Sequence, residues 1–253
     1  MMQYGFDPVL FKGKTVVVTG AGSGIGAAVA RAFGACGARV IAHRGRTPGD
    51  SVANGVAHEN LFADFTQDGE TETFIQSVLS TAPSIDVLVN NAGTMMGRIA
   101  AEAITNAEYE RIVHLNQTAV VQITRGLLPA LRAPGKASII NTVSISARTG
   151  GSPGSAIYSA SKAFVSTYSK ALARELAPDG IRVNAISPGT IDTGFHQRYS
   201  SREKLAATAA SVPLARLGTP ADCAPAYLFL AAEIMSGYTT GQVLEINGGQ
   251  LIA

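Results

Sequence analysis

The stretch Lys14-Thr15-Val16-Val17-Val18-Thr19-Gly20-Ala21-Gly22-Ser23-Gly24-Ile25-Gly26 joins an apolar, β-branched run to a segment rich in glycine. A β-branched run favours a buried strand, and apolar residues then recur at helical spacing. The stretch therefore predicts a strand, a tight turn and a helix over residues 24–36. Such a turn presents backbone N–H groups and a helix N-terminus to a pyrophosphate, although a simple tight turn is the alternative. The candidate contacts are Gly20, Ser23, Gly24, Ile25 and Gly26.

Strands and helices alternate along the whole chain. Short apolar runs predict strands over 14–19, 39–42, 61–63, 86–89, 138–143, 182–186 and 242–246. Helical spacing predicts helices over 69–81, 106–131, 158–176, 201–210 and 220–232, whereas Pro and Gly residues disfavour a helix over 47–59. This alternation predicts an α/β fold with a parallel sheet covered on both faces. Ligands of such sheets bind beyond the C-terminal ends of the strands.

Size and composition exclude several classes of protein. The 253 residues fit one α/β domain over 1–253, and a content of 46% hydrophobic and 15% charged residues excludes a disordered chain. The net charge of +2 is scattered, so no nucleic-acid surface is predicted. No apolar run approaches the length of about 18 residues that a membrane span needs. Cys36 and Cys223 form no CxxC pair, so neither a disulfide nor a metal site is predicted. We therefore expect a cytoplasmic protein that binds neither nucleic acid nor membrane.

The segment Tyr158-Ser159-Ala160-Ser161-Lys162 places a phenol and an ammonium four residues apart in a predicted helix. Side chains at this spacing share one face of a helix. A tyrosine pKa of about 10 must fall by roughly 3 units for the phenol to act as a base near neutrality, which corresponds to about 4 kcal/mol. A unit charge at ~4 Å supplies about that much at an effective dielectric constant of roughly 20. Lys162 is thus able to activate Tyr158, although two ordinary surface side chains are the alternative.

Three motifs occur in order along the chain: Thr19-Gly20-Ala21-Gly22-Ser23-Gly24-Ile25-Gly26, Asn90-Asn91-Ala92-Gly93, and the Tyr158/Lys162 pair. Together they resemble the short-chain dehydrogenase/reductase family in its compact single-domain form, including members similar to 3-oxoacyl-acyl-carrier-protein reductases and to sugar and alcohol dehydrogenases. The resemblance implies a Rossmann-type doubly wound parallel sheet of about seven strands in three α/β/α layers. It also implies an NAD(P)(H)-dependent oxidoreductase that transfers a hydride between nicotinamide and a carbonyl or secondary alcohol substrate.

The resemblance further implies a catalytic set. Tyr158 is then the general acid/base, and Lys162 lowers the pKa of that phenol and holds the nicotinamide ribose. Ser144, at the end of the fifth predicted strand, hydrogen-bonds the substrate oxygen. Ser146 is the alternative, because the spacing from Ser144 to Tyr158 is one residue longer than in many members. Asn116, in the long predicted helix, anchors a water that leads to Lys162.

Further cofactor contacts are implied after the other strands. Asp64 and Phe65 match positions that hold the adenine, and Asn91, Ala92 and Gly93 match positions along the adenosine ribose. Four residues match the segment beside the nicotinamide carboxamide: Pro188, Gly189, Ile191 and Thr193.

The second predicted strand ends in basic residues. A carboxylate at this position would bind the ribose 2′-hydroxyl of NAD and repel a 2′-phosphate. Arg44 stands there instead and Arg46 follows, and guanidinium groups bind phosphate well. Ser23 argues the other way, because NADP users of the family often carry a basic residue at that point. The sequence therefore favours NADP(H) over NAD(H).

The substrate pocket is expected to involve Met95, Met96, residues 148–155 and residues 190–212, with 187–212 as a substrate loop that could close as a lid. Within these segments, Arg148 and His196 are candidates to meet an anionic group. Two other functions remain open, namely a cofactor-sensing protein without turnover and epimerase or dehydratase chemistry on the same Tyr/Lys pair. The resemblance also implies a homotetramer, or a homodimer, formed through the two long helices and the C-terminal end over 241–249.

Overall fold

The structure, a computed structural model, describes residues 5–46 and 59–252. Within these ranges seven strands form one parallel sheet: β1 (Thr15–Val18), β2 (Arg39–His43), β3 (Glu59–Leu61), β4 (Val87–Asn90), β5 (Ala137–Thr142), β6 (Ile181–Pro188) and β7 (Val243–Ile246). Their order across the sheet is β3-β2-β1-β4-β5-β6-β7. The order reverses between β1 and β4, so the loops after these two strands separate there and leave a crevice.

The helices lie on both faces of the sheet: α1 (Gly24–Ala35), α2 (Glu70–Thr81), α3 (Asn106–Val113), α4 (Ala119–Arg132), α5 (Ser146–Thr149), α6 (Ala156–Leu176), α7 (Gly194–Tyr199), α8 (Arg202–Ser211), α9 (Pro220–Ala231) and α10 (Glu233–Ser236). Alternate residues of β1 point to opposite faces. Val16 and Val18 pack with α1 and α9, whereas Val17 packs with α2, α4 and α6. The predicted three-layer, seven-stranded Rossmann-type fold is confirmed.

The predicted helix over 106–131 is one continuous helical segment with an inserted wide turn. Residues His114–Thr118 form a π-helical turn between α3 and α4. Within it, the Asn116 side chain donates to the Ile112 carbonyl at 2.8 Å. An α-helix would pair that carbonyl with the backbone N–H of Asn116, so the amide competes for this acceptor where the helix widens. The regular apolar spacing gave no sign of the interruption.

Four other expectations need correction or lie outside the described residues. The third strand is Glu59–Leu61 rather than 61–63, because Ile41 of β2 pairs with Glu59 and His43 with Leu61. The predicted pocket segment 148–155 begins within the short helix α5, and the substrate loop contains α7 as well as the expected helix α8. The prediction of no helix over 47–59 falls mostly on residues outside the described ranges. No helix in the described part of the chain combines the length and apolar character that crossing a membrane requires.

Candidate active site

A cavity of about 940 Å³ opens at the C-terminal edge of the sheet, where β1 and β4 separate. Nearly every residue that the sequence marks as a catalytic or cofactor contact lines this cavity. Two do not, namely Gly26 and Asn116, and both are buried. Gly26 acts within the turn itself, since a Cβ there would overlap the Gly20 carbonyl oxygen. Gly26 therefore has a packing role within the turn, and its contact with a cofactor stays a prediction.

The glycine turn between β1 and α1 is held close to the loop after β4. Gly20 has a φ of 67°, and a Cβ at this residue would lie 2.9 Å from the Cα of Ala92. The Asn91 side chain donates to the carbonyl oxygens of Thr19 at 3.1 Å and Gly20 at 3.3 Å. The turn thereby stays narrow at the N-terminus of α1, where backbone N–H groups and the helix dipole favour an anion.

Tyr158 and Lys162 lie one turn apart on α6, and Ser144 follows β5. Ser144 hydrogen-bonds the Tyr158 hydroxyl. Ser146 donates to the Ser144 hydroxyl oxygen twice, from its backbone N–H at 3.2 Å and from its own hydroxyl at 2.9 Å. Of the two serines left open by the sequence, Ser144 is thus the one bonded to the phenol, and Ser146 donates to Ser144 while also lining the cavity.

Burial controls the ionisation of the Tyr158/Lys162 pair. Tyr158 is half-buried at the cavity wall, and partial removal from water raises its pKa to about 12, against a smaller lowering by the Ser144 hydrogen bond. Burial also lowers the pKa of Lys162 to about 8. Desolvation therefore has the larger effect on the phenol, and the role of Lys162 in lowering the Tyr158 pKa stays a prediction. The ammonium donates to the Thr142 carbonyl oxygen at 2.8 Å and lies 5.8 Å from the centre of the phenol ring, so desolvation outweighs its charge.

Asn116 has a buried oxygen that lacks a hydrogen-bond partner within the described residues. Its amide nitrogen donates to the carbonyl oxygens of Thr94 at 2.9 Å and Ile112 at 2.8 Å. A Cβ built on Gly93 would lie 2.7 Å from that Asn116 oxygen and 3.0 Å from the Lys162 ammonium, so both polar atoms approach the same point. A buried acceptor left unpaired is costly, and a water between Asn116 and Lys162 would satisfy it.

The opposite end of the cavity carries the predicted adenosine contacts. Arg44, Arg46, Asp64 and Phe65 line it together. The Arg46 guanidinium lies 3.9 Å from the Asp64 carboxylate, and the Arg44 guanidinium donates to the Asn60 side chain at 3.3 Å. The imidazole of His43 stacks on Phe65 with ring centres 3.9 Å apart. The sequence gave His43 no role, although its position at the end of β2, directly before Arg44, was visible.

Comparison with known proteins agrees with this geometry. A family model described as Enoyl-(Acyl carrier protein) reductase matches residues 20–250. An uncharacterized short-chain type dehydrogenase/reductase of Sinorhizobium fredii is 39% identical over 257 residues, covering 96% of this chain and 100% of the relative. The chain belongs to the short-chain dehydrogenase/reductase family. Members of this family are oxidoreductases that use a nicotinamide cofactor.

Two solved structures of the family are similar over almost the whole chain. One is a candidate NAD(P)-dependent gluconate 5-dehydrogenase from Beutenbergia cavernae with bound NADP, with a TM-score of 0.88, 34% identity, and coverage of 97% of this chain and 100% of that one. The other is the NADH-dependent reductase A1-R′ responsible for alginate metabolism, with a TM-score of 0.85, 35% identity, and coverage of 96% and 99%. Both nicotinamide cofactors thus occur among similar proteins.

The residues present fit a dinucleotide of the kind this family uses. The glycine turn offers a narrow anion cradle, the cavity volume lies in the range of cofactor clefts, and the Asn116 oxygen awaits a polar partner. Residues of the glycine turn would hold the pyrophosphate, and Lys162 would hold the nicotinamide ribose. The segment after β6 is fixed by the C-terminus, since Gln250 accepts from the Thr190 N–H at 2.9 Å and donates to its hydroxyl at 3.1 Å.

Two aromatic side chains of the segment 187–212 lie near the Tyr158 end of the cavity. The Phe195 ring lies 5.7 Å from the Tyr158 ring, and the Tyr199 hydroxyl lies 3.0 Å from that of Thr94. Arg98 joins two segments here by donating to the carbonyl oxygens of Tyr199 at 2.6 Å and Pro153 at 3.1 Å. The sequence did not identify Arg98, because its partners lie 55 and 101 residues away.

Two charged residues expected near the substrate have different positions. Arg148 does not line the cavity, and its guanidinium instead lies 3.6 Å from the Glu245 carboxylate. His196 does line it. Burial, and then the charge of Arg98, lower the pKa of His196 to about 4, so this side chain is neutral at physiological pH.

Proposed function

We propose that this protein is an NADP(H)-dependent oxidoreductase that transfers a hydride between nicotinamide and a carbonyl or secondary alcohol, with Tyr158 as general acid/base. The observation that carries the proposal is the hydrogen bond between Ser144 and the Tyr158 hydroxyl, inside the same cavity as the glycine turn. Two hydroxyl groups at one point can polarise a carbonyl oxygen and supply its proton.

Each residue then has a separate task in carbonyl reduction. Ser144 and Tyr158 hydrogen-bond the substrate oxygen and orient the carbonyl carbon toward the nicotinamide. Bound nicotinamide supplies the hydride. Tyr158 donates its proton to the oxygen, and Lys162, held by the Thr142 carbonyl, stabilises the phenolate that remains. A water between Asn116 and Lys162 would return the proton.

Tyr158 is a proton donor in its resting form. Burial raises its pKa, so the phenol is protonated at neutral pH and able to donate its proton to a carbonyl oxygen. The reverse reaction, alcohol oxidation, requires this phenol to lose its proton first.

The preference for NADP(H) rests on Arg44 and Arg46. Both line the adenosine end of the cavity, and Asp64, the one carboxylate among the described lining residues, is already close to Arg46. A 2′-phosphate would therefore meet two guanidinium groups and little opposing charge. A comparison of kcat/KM with NADPH and NADH tests the preference, and a strong advantage for NADH would overturn it.

The substrate end of the cavity combines hydroxyl groups with positive charge. Its described lining includes Thr94, Ser144, Ser146, Thr149, Ser152, Ser155 and Tyr199, together with Arg98, Arg111 and Arg198. This chemistry favours a small polar carbonyl compound, and an anionic group on it would find a partner. The similar proteins named for gluconate and alginate metabolism direct the first tests toward sugar acids.

A spectrophotometric screen tests the proposed reaction. Purified protein is mixed with NADPH or NADH and a panel of ketones, aldehydes, keto-acids and oxidised sugar acids, and the absorbance of the reduced cofactor is followed. Turnover that is lost in Tyr158→Phe is the expected result. Tight cofactor binding without turnover on any compound would favour a cofactor-sensing protein. Product formation without net cofactor oxidation would favour epimerase or dehydratase chemistry.

We also propose a homotetramer. On the α3/α6 face, Tyr109 and Phe164 are exposed, and the Phe164 ring stacks on Tyr168. The other face is the edge of the sheet at β7. Two distinct faces of this kind would allow two different interfaces, each around its own two-fold axis, as a tetramer requires. Multi-angle light scattering is the test, and a monomer at micromolar concentration would overturn the proposal.

A further inference from the structure

His43 forms hydrogen bonds both to the glycine turn and to the segment Ala63–Phe65, which lies at the predicted adenine end of the cavity. It is the last residue of β2 and only 3% exposed. Its Nδ1 lies 3.2 Å from the Gly20 N–H nitrogen, and its Nε2 lies 3.0 Å from the Ala63 carbonyl oxygen. Its own carbonyl oxygen accepts from the Ala21 N–H at 2.7 Å. The first two N–H groups of the turn are therefore both held by one residue.

The partners determine which tautomer of the ring is present. A backbone N–H can only donate, so Nδ1 must be the unprotonated nitrogen facing Gly20. A carbonyl can only accept, so Nε2 must carry the hydrogen that bonds Ala63. A second proton on Nδ1 would set two donors against each other. Only the neutral ring with hydrogen on Nε2 fits this position.

The surroundings keep the ring in that neutral form. It lies between aromatic rings, stacked on Phe65 at 3.9 Å and edge-on to Phe74 at 5.3 Å. Burial lowers its pKa to about 4, against smaller raising effects of the Ala63 hydrogen bond and the Asp64 charge. The other charged groups around it are Arg44 and Arg46, which follow it in the chain, and Glu70, which accepts from the Asp64 N–H.

We propose that His43 is a positioning residue for the dinucleotide, which ties the glycine turn to the Ala63–Phe65 segment so that the pyrophosphate and adenine sites keep a fixed separation. This inference rests on the proposed nicotinamide-dependent function. The two ring hydrogen bonds join these two segments, which lie on opposite sides of β2. A cofactor that spans both segments is bound best when neither can move against the other.

The role differs from that of the neighbouring arginines. Arg44 and Arg46 would contact the group that separates NADPH from NADH, whereas His43 acts on parts common to both cofactors. Loss of the ring hydrogen bonds should therefore lower the affinity for NADPH and for NADH by the same factor. The maximal turnover with saturating cofactor should change little, because Tyr158, Ser144 and Lys162 lie at the other end of the cavity.

Three variants separate the ring's functions. His43→Phe keeps an aromatic ring on Phe65 but removes both hydrogen bonds, His43→Asn keeps an acceptor near the Nδ1 position, and His43→Gln keeps a donor near the Nε2 position. Leu131→Ala is the matched control, since Leu131 is fully buried in α4 and does not line the cavity. This control should lower the melting temperature without changing cofactor affinity.

The test is direct titration of the cofactor-free protein with NADPH and with NADH, followed by cofactor fluorescence. We expect His43→Phe to raise both dissociation constants about tenfold, the loss of about one hydrogen bond, and His43→Asn and His43→Gln each to recover part of the affinity. Affinity within about twofold of wild type in a folded His43→Phe protein, or a loss confined to NADPH, would overturn the proposal. No binding by the wild-type protein would instead overturn the proposed function.

A second measurement does not depend on any variant folding. Nitrogen-15 NMR of the histidine rings in the cofactor-free wild-type protein reports the protonation of each ring nitrogen. We expect the His43 ring to be neutral at pH 6 with its hydrogen on Nε2. A charged ring, or hydrogen on Nδ1, would contradict the bonding pattern and the proposal with it.

Discussion

The Lys162 ammonium lies 5.8 Å from the centre of the Tyr158 ring and donates a hydrogen bond to the Thr142 carbonyl oxygen, 2.8 Å away. This arrangement keeps the lysine beside the phenol without forming an ion pair with it. Tyr158 thus rests as a neutral acid, bonded to Ser144, and the charge of Lys162 becomes useful when the phenolate forms. The lysine therefore stabilises the product of proton transfer more than the resting state.

Replacement of Tyr158 by Phe removes the proton donor and leaves the ring in place. We expect kcat/KM to fall about 10³-fold, within the range that a positioned general acid contributes. The dissociation constant for NADPH should stay close to that of the wild type, because the phenol is one of many cavity contacts. Steady-state kinetics and fluorescence titration measure the two quantities. Retention of most of the activity would remove Tyr158 from the mechanism.

The two serines after β5 differ in their hydrogen-bond partners. Ser144 contacts the phenol, so Ser144→Ala should lower kcat by about 100-fold through loss of a hydrogen bond to the developing charge. Ser146 only supports Ser144, so Ser146→Ala should lower kcat by about fivefold or less. The reverse ranking in parallel assays would make Ser146 the residue that holds the substrate oxygen.

Cofactor choice is tested at the end of β2. Arg44→Ser should lower kcat/KM for NADPH about 10- to 100-fold, the value of one charge-assisted hydrogen bond, and leave NADH nearly unchanged. Arg39→Ser is the matched control, because Arg39 begins the same strand and faces Glu59 at 3.5 Å, outside the cavity. An equal loss with both cofactors in Arg44→Ser would show that Arg44 does not read the 2′-phosphate.

Buried Lys162 should cost stability at neutral pH. Its pKa is 10.5 when exposed and about 8 in the folded protein, so between these pH values the unfolded chain binds a proton that the native protein does not. Stability therefore rises with pH across that window, and the full cost is present below pH 8. We expect Lys162→Met to raise the free energy of unfolding at pH 7 by about 1–2 kcal/mol after the unpaired Thr142 carbonyl is counted.

Urea unfolding at pH 7 and pH 10 measures this effect, and the gain should shrink at the higher pH. Lys170→Met is the control, since Lys170 is exposed on the same helix and its removal should change little. A variant at Lys162 that is less stable than wild type at pH 7 would show that the Thr142 hydrogen bond outweighs the desolvation of the ammonium.

The elements that the sequence predicted well are those encoded locally. The valine run before Gly20 and the apolar spacing after Gly24 reflect periodicities of two and 3.6 residues, which act over one or two turns of chain. The motifs at Asn91 and Tyr158 also required no knowledge of packing. These local signals were sufficient for the fold, whereas most of the residues around the cavity were identified through the family resemblance that the motifs carry.

The features that were missed depend on partners distant in sequence. The limits of β3 follow from its pairing with β2, and the π-helical turn depends on the Asn116 side chain competing for a carbonyl. The pKa of Tyr158 depends on desolvation, which spacing along a helix does not reveal. His43 was overlooked for the same reason, because its ring forms hydrogen bonds to Gly20 and Ala63, which are 23 and 20 positions away in the sequence.

His43 should also give the protein a measurable sensitivity to acid. Its pKa is 6.5 when exposed and about 4 in the folded protein, so between pH 4 and 6.5 the unfolded chain binds a proton that the native protein excludes. Stability contributed by the neutral ring is complete above pH 6.5 and declines as the pH falls toward 4, by up to about 3 kcal/mol. His43→Phe lacks this titration, so its stability relative to wild type should improve steadily from pH 6.5 to pH 4. Urea unfolding of both cofactor-free proteins at several pH values measures the difference, in which the similar titration of His196 cancels. A constant difference across this range would show that the folded His43 ring takes up a proton as readily as the unfolded one, which would contradict the bond from the Gly20 N–H to an unprotonated Nδ1.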